Sequence, residues 1–265
     1  MTPTTEPTSA REQFDWQAEK YNTRWASWSD ESLRRMVELS DPKPEWRVLD
    51  VATGTGFTAL AFALLVREVV GADLSPGMLQ QAGQRAAEAG IANASWVEAP
   101  AEALPFAEAS FDLVTVRIAP HHFRDVRAFL RETRRVLLPG GVFVLADTTV
   151  PDGDARAADW QNAVERERDT SHGANLSPET WRALCTEAGF AVTDLDTTGG
   201  AITIPLSAWL ETAGCTGERA ARVRQLFADA PASARQQFAI TTEASGEKYF
   251  SWQRVVLRAE HSTPL

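Results

Sequence analysis

The sequence predicts a three-layer α/β sandwich: a mostly parallel, seven-stranded sheet with an antiparallel edge strand, helices on both faces and helical lid insertions. Three observations lead there. Short β-rich runs alternate with helical stretches from Arg47 to Asp147, an order that demands crossovers above a parallel sheet. The run Phe111–Ile118, FDLVTVRI, is almost continuously apolar, as a strand covered on both faces must be. And the first β-rich run passes through Ala52-Thr53-Gly54-Thr55-Gly56 into an apolar helix, so a glycine turn sits where helix N–H groups point back at it.

Each element follows from local chemistry. Arg47–Val51 is the first strand, Thr58–Val66 the first core helix, and Glu68–Ala72 the second strand, ending in Asp73. Ser75 caps the next helix and Pro76 occupies its first position; Gly90 stops it. Ala94–Glu98 is the third strand, Ala101–Ala109 a loop or short helix, and Phe111–Ile118 the fourth strand. Val126–Leu137 reads as helix, Leu138–Gly141 as a turn, Val142–Asp147 as the fifth strand. Beyond Pro151, helices are expected over Ala155–Arg168 and from the Ser177 cap to Gly189, then a strand, Phe190–Thr197. Leu206–Phe238 is helical with breaks near Gly214–Gly217 and at Pro231. Tyr249–Ala259 is the last strand, and the last two strands are expected as an antiparallel pair at one edge.

Domain limits follow from composition. Residues 1–10 are rich in Thr and Pro and expected to be disordered. Residues 11–44 form a helical lid bearing Phe14, Trp16, Tyr21, Trp25 and Trp28; 45–150 form the core; 151–259 carry substrate-side insertions and the last two strands; 260–265 are a tail.

A net charge of −10 argues against nucleic acid, whose binding needs clustered Lys and Arg. Cys185 and Cys215 form no metal spacing and no disulfide framework, which reads as reduced thiols in a cytoplasmic protein, and no metal is expected. No run of about 18 apolar residues offers a membrane span, and the N-terminus lacks the pattern of a signal peptide.

Asp73 stands 19 residues beyond Gly54, the spacing at which a βαβ unit sets a carboxylate on a ribose, so an adenosine-containing ligand is expected across two strand ends. The glycine turn alone also fits a dinucleotide fingerprint. The later motifs decide differently. VLDVATGTG (48–56), GADLSPGML (71–79), AEALPF (101–106), FDLVTVRIAPHHF (111–123) and RRVLLPGG (134–141) together resemble the class I methyltransferases dependent on S-adenosyl-L-methionine (SAM), of the ubiquinone/menaquinone-biosynthesis type. That resemblance implies a Rossmann-like core and methyl transfer to a small-molecule acceptor whose C, O or N atom is undetermined; Trp16, Trp25, Trp28, Trp160 and Trp209 favour an aromatic or apolar one. The alternatives are an NAD(P)-binding oxidoreductase and a SAM-binding protein without methyl transfer.

The resemblance further implies roles. Asp50 and the backbone of Ala52, Thr53, Gly54 and Gly56 would hold the methionine portion; Asp73 the ribose; Leu74 and Met78 the nucleoside; Ala101 and Glu102 the adenine edge; Ile118 the methionine portion again. Relatives usually carry an acid where this chain has Pro100, so adenine recognition must differ here. From the residues themselves, Tyr21 is the lid residue expected at the cofactor, and Arg117 could pair a carboxylate of cofactor or substrate. His121 and His122 follow the fourth strand on the rim where such sheets bind ligands, and His121 is taken as a candidate base. His172, with Asp169 to orient it, is the other. Trp160 and Trp209, with Trp16, Trp25 and Trp28, are candidates for an aromatic pocket.

Overall fold

The computed structural model describes residues 11, 14, 15, 30–197 and 202–262. Trp16, Tyr21, Trp25 and Trp28, expected at the lid, lie outside these residues. The described chain begins with α1 (Asp30–Ser40), β1 (Arg47–Val51), α2 (Phe57–Ala63), β2 (Glu68–Asp73), α3 (Pro76–Glu88), β3 (Ala94–Glu98) and β4 (Phe111–Arg117). A 3-10 turn, Pro120–His122, leads to α4 (Val126–Val136) and β5 (Leu137–Thr149). There follow α5 (Ala155–Arg168), α6 (Pro178–Glu187), β6 (Phe190–Asp196), β7 (Ile202–Pro205), α7 (Leu206–Thr212), α8 (Gly217–Ala228), α9 (Ala232–Gln237), β8 (Thr241–Thr242) and β9 (Lys248–His261).

The sheet runs β3-β2-β1-β4-β5-β9-β6, with β7 and β8 also paired to β9. Its first five strands are parallel. β9 is antiparallel to both β5 and β6, so the expected antiparallel pair stands at one edge, with β6 outermost. The helix starts follow their caps: the side chains of Ser75, Asp125, Asp154 and Ser177 each accept from a backbone N–H in the first turn.

Two departures have physical causes. Leu137 pairs with Phe111 and Val142 with Leu113, so the expected Leu138–Gly141 turn survives as a bulge opposite Asp112, inside one strand. β7 and β8 carry no periodic signal of their own. They exist because β9 continues past its partners, offering Tyr249–Trp252 to β7 and Lys248–Tyr249 to β8.

Alternation along the strands makes the two sheet faces. Leu49 joins the cluster containing Phe129, Phe143 and Trp181, while its neighbour Val48 joins that of Met36, Phe62 and Val69. A third cluster, among the helices after β5, gathers Trp160, Trp209, Phe227, Phe238, Phe250 and Trp252. Trp160 and Trp209 are therefore packing residues, and neither lines the cavity at the sheet rim. Trp209 is 2% exposed and stands edge-on to Phe250, ring centroids 5.0 Å apart. Strand β9 contributes to all three clusters: Phe250 and Trp252 to one, Val256 to another, Val255 and Leu257 to the last.

Candidate active site

A cavity of about 440 Å³ opens at the carboxyl ends of β1, β2 and β4, the rim where open α/β sheets bind ligands. Of the residues singled out in the sequence, Ala52, Thr53, Gly54, Asp73, Leu74, Met78, Ala101, Glu102, Arg117 and Ile118 line it.

The backbone of this rim is unusual. Ala52 and Ile118, at the exits of β1 and β4, both adopt φ of 52°, a left-handed conformation that costs a non-glycine residue roughly 1 kcal/mol or more. Gly54 lies between them in chain order, with φ of 55° and no atom within 4 Å of where a Cβ would stand. The turn thus presents bare backbone to the cavity.

Asp73 is buried at 8% exposure. Its Oδ2 accepts from Gly54 N–H at 2.8 Å and its Oδ1 from Ser75 N–H at 2.9 Å. Burial raises its pKa above the ordinary carboxylate value, and those N–H groups oppose the rise. Each oxygen keeps acceptor capacity for a second donor.

Two residues expected to touch a ligand lie behind the wall. Asp50 does not line the cavity. It accepts from the hydroxyls of Thr53 at 2.6 Å and Thr115 at 2.7 Å, bracing the turn from beneath. Burial pushes its pKa up to about 6 despite those bonds. Gly56, with φ of 85°, also stands back; a Cβ there would lie 3.0 Å from both Ala82 and Trp96, so its glycine serves close packing.

At the adenine corner, Pro100 lines the cavity beside Ala101 and Glu102. Glu102 Oε1 accepts from the N–H groups of Arg124 at 3.0 Å and Asp125 at 3.4 Å, tying this turn to the start of α4. Arg117 donates from Nε to Thr58 Oγ1 at 2.8 Å, which fixes its guanidinium across the turn.

The histidines require a correction. His121 is not on the cavity wall; His122 is. His121 Nδ1 lies 2.7 Å from Asp147 Oδ1, and its N–H donates to Oδ2 of the same carboxylate at 3.0 Å. Burial lowers its pKa, but the carboxylates of Asp147, Glu165 and Asp169 together outweigh burial and the net shift is upward. His172 also lies off the wall, its Nε2 3.2 Å from Asn162 Oδ1. Burial, with the two neighbouring imidazoles, lowers its pKa to about 2. Asp169 does not orient His172; its carboxylate accepts from Ser171.

Arg11, Phe14, Phe123, Arg124 and Arg254 complete much of the wall; the sequence marks Phe14 only as a lid aromatic and Phe123 only as the end of a motif, and the three arginines carry no ligand signal in it. Arg254 is seen only through pairing: it sits opposite Thr148 on β9 and donates from Nη1 to Ser32 Oγ at 3.3 Å. Arg11 and Phe14 reach the site because Asp15 docks on the start of α3, accepting from the Ser75 hydroxyl and from Gly77 N–H at 3.1 Å.

Known proteins resemble this chain in sequence and fold. A family model described as a methyltransferase domain matches residues 49–145. The uncharacterized methyltransferase YcgJ of Bacillus subtilis is 34% identical over 234 residues, covering 88% of this chain and 91% of that protein. A crystal structure of YcgJ superposes with a TM-score of 0.82 at 31% identity, over 88% of this chain and 99% of that one. Demethylmenaquinone methyltransferase of Thermus thermophilus is 43% identical over 120 residues, 44% of this chain and 54% of that protein, so the likeness spans about half of it. Geranyl diphosphate C-methyltransferase of Streptomyces coelicolor A3(2), seen with S-adenosyl-L-homocysteine, shares the fold alone, at 14% identity and a TM-score of 0.62 over 87% of this chain and 75% of that one. Sequence motifs, sheet order, the rim cavity and these relatives converge: the chain belongs to the SAM-dependent class I methyltransferases.

Proposed function

We propose that this chain transfers a methyl group from SAM to a small-molecule acceptor bound in the same cavity. The observation that carries the reading is Asp73, a buried carboxylate on the cavity wall with one backbone N–H on each oxygen and capacity left on each. A ribose diol offers two hydroxyl donors to such a group. The surroundings fit the rest of the cofactor. Met78 and Leu74 give apolar surface for the nucleoside, Ala101 and Pro100 border an adenine edge, and the bare backbone from Ala52 to Gly54, with Arg117 beside it, suits an amino-acid end.

When bound, the cofactor supplies an electrophilic methyl on a sulfonium. The chain's own part is alignment, since in-line displacement gains most from holding acceptor and methyl together. Phe14, Ile118 and Phe123 give the remaining wall apolar character, which supports a flat or apolar acceptor. The −10 net charge supports a small molecule over nucleic acid. Among the described residues no helix is long and apolar enough to cross a membrane. Both cysteines are buried and unpaired, which supports a reducing, cytoplasmic setting.

Calorimetric titration tests the cofactor: SAM and S-adenosyl-L-homocysteine should bind and NAD should not. Incubation with methyl-labelled SAM and a panel of phenols, amines and quinols tests transfer. Binding of NAD in place of SAM would overturn the reading, and SAM binding without turnover of any acceptor class would leave a cofactor-binding protein of another activity.

A further inference from the structure

The Pro120–His122 turn sets two consecutive histidines on opposite duties. Asp147 takes both the N–H and the Nδ1 of His121, holding that ring inside the protein. His122 is the one on the cavity wall, with the Phe14 ring edge-on at 4.9 Å between centroids.

What holds His122 defines its chemistry. Its Nδ1 lies 3.0 Å from Ser171 Oγ and 3.2 Å from Ser171 O. The Ser171 hydroxyl is 2.6 Å from Asp169 Oδ1, which also accepts from Ser171 N–H at 2.8 Å. Asp169 is held below the ordinary carboxylate range: burial raises it, the Ser171 bonds and Arg168 oppose the rise, and His122 adds to them only while its ring is charged. An ionised carboxylate only accepts, so the single hydroxyl proton of Ser171 goes to Asp169. A carbonyl also only accepts. Both Ser171 oxygens therefore face His122 as acceptors, and Nδ1 must carry the ring proton. Nε2 is left with its lone pair, and among the described residues it has no hydrogen-bond partner. Gly173 N–H, donating to His121 O at 2.8 Å, pins the loop that carries Ser171 to the rim; a Cβ at Gly173 would stand 3.1 Å from that carbonyl.

We propose that Asp169 and Ser171 lock His122 in the Nδ1–H tautomer so that Nε2 takes the proton of the methyl acceptor, which makes the substrate a molecule with an O–H or N–H at the methylated atom. This rests on the SAM reading of the cavity. The acceptor's lone pair forms the new bond to carbon while the carbon–sulfur pair stays on sulfur, and the O–H or N–H proton moves to Nε2. The positive charge passes from sulfonium to imidazolium, so atoms and charge balance. Burial first, then the neighbouring His121, pushes the His122 pKa down to about 3. The ring is thus unprotonated at working pH. An oxygen whose lone pair is committed to carbon becomes a strong acid, so an imidazole of reduced basicity still takes its proton. His122 is the catalytic residue in this scheme; Ser171 and Asp169 are positioning residues.

The test uses protein labelled with ¹⁵N-histidine, read by long-range ¹H–¹⁵N correlation, with His122→Gln to assign the ring. His122 should show the neutral Nδ1–H pattern from pH 5 to 8, and Ser171→Ala and Asp169→Asn should mix in the Nε2–H tautomer. Phenol added to the complex with S-adenosyl-L-homocysteine should move the Nε2 resonance; anisole, which has no O–H, should not. An Nε2–H tautomer in the wild-type protein, or equal responses to phenol and anisole, overturns the proposal while the cofactor reading stands. Failure of S-adenosyl-L-homocysteine to bind by calorimetry overturns the cofactor reading itself, and the proposal with it.

Discussion

The Asp73 carboxylate accepts from Gly54 N–H at 2.8 Å, so the end of β2 holds the turn after β1 in the shape a ligand meets. One residue therefore both shapes the site and offers it acceptors. Asp73→Ala should weaken S-adenosyl-L-homocysteine binding by about 1.5–3 kcal/mol, the worth of hydrogen bonds to a charged group. Titration calorimetry reads this directly; unchanged affinity would remove the ribose role.

Asp50 should make stability depend on pH. Folding raises its pKa from 3.8 to about 6, so the fold favours the neutral acid. That contribution is full below the unfolded value and is lost as pH rises through about 6, a loss of about 3 kcal/mol by neutral pH. Asp50→Asn cannot ionise. It should be more stable than wild type by about 1–3 kcal/mol at pH 8 and show no advantage at pH 4. Urea melts at the two pH values check the sign.

Gly71 has no room for a methyl group. A Cβ there would stand 2.5 Å from the Trp96 ring and 2.9 Å from Thr53 Cγ2. Gly71→Ala should cost about 1–3 kcal/mol of stability, and Trp96→Leu in the same chain should restore part of it. Recovery measured by denaturant melts would locate the strain at Trp96; no recovery would place it at Thr53.

Trp209 separates packing from binding. Trp209→Ala should cost about 3–5 kcal/mol, as expected for a buried aromatic in a ring cluster. The affinity of the folded protein for S-adenosyl-L-homocysteine should stay within about twofold, because Trp209 does not line the cavity. A parallel loss of affinity in calorimetry would return it to the site.

The part of the site that the sequence reveals is the part built by short-range rules. The glycine turn, the Ser75 cap and Asp73 act within one βαβ unit, where spacing fixes geometry. Asp50 and Gly56 were visible as motif residues but not as residues behind the wall, because strand alternation and packing decide which way a group points. His121 and His122 are adjacent and equal in the sequence; only the arrival of Asp147 and Ser171 from distant segments divides them. Arg254 could not be read at all, since it enters through the β5–β9 register. Trp160 and Trp209 looked like pocket walls because composition cannot tell a second core from a binding site. Pro100 was legible as a departure, and Glu102, spent on the 124–125 turn, shows where one candidate replacement is engaged.

Strand β9 pairs with β5, β6, β7 and β8 and sends side chains into all three apolar clusters. A rocking motion of the helical region against the sheet would have to break that ladder, so the two regions should melt in one transition and exchange their amide hydrogens with similar protection. Its pairing with β5 joins residues more than a hundred positions apart in the chain, as between Val142 and Glu260. Loop closure on that scale delays assembly, and completion of β9 is the natural slow step of folding.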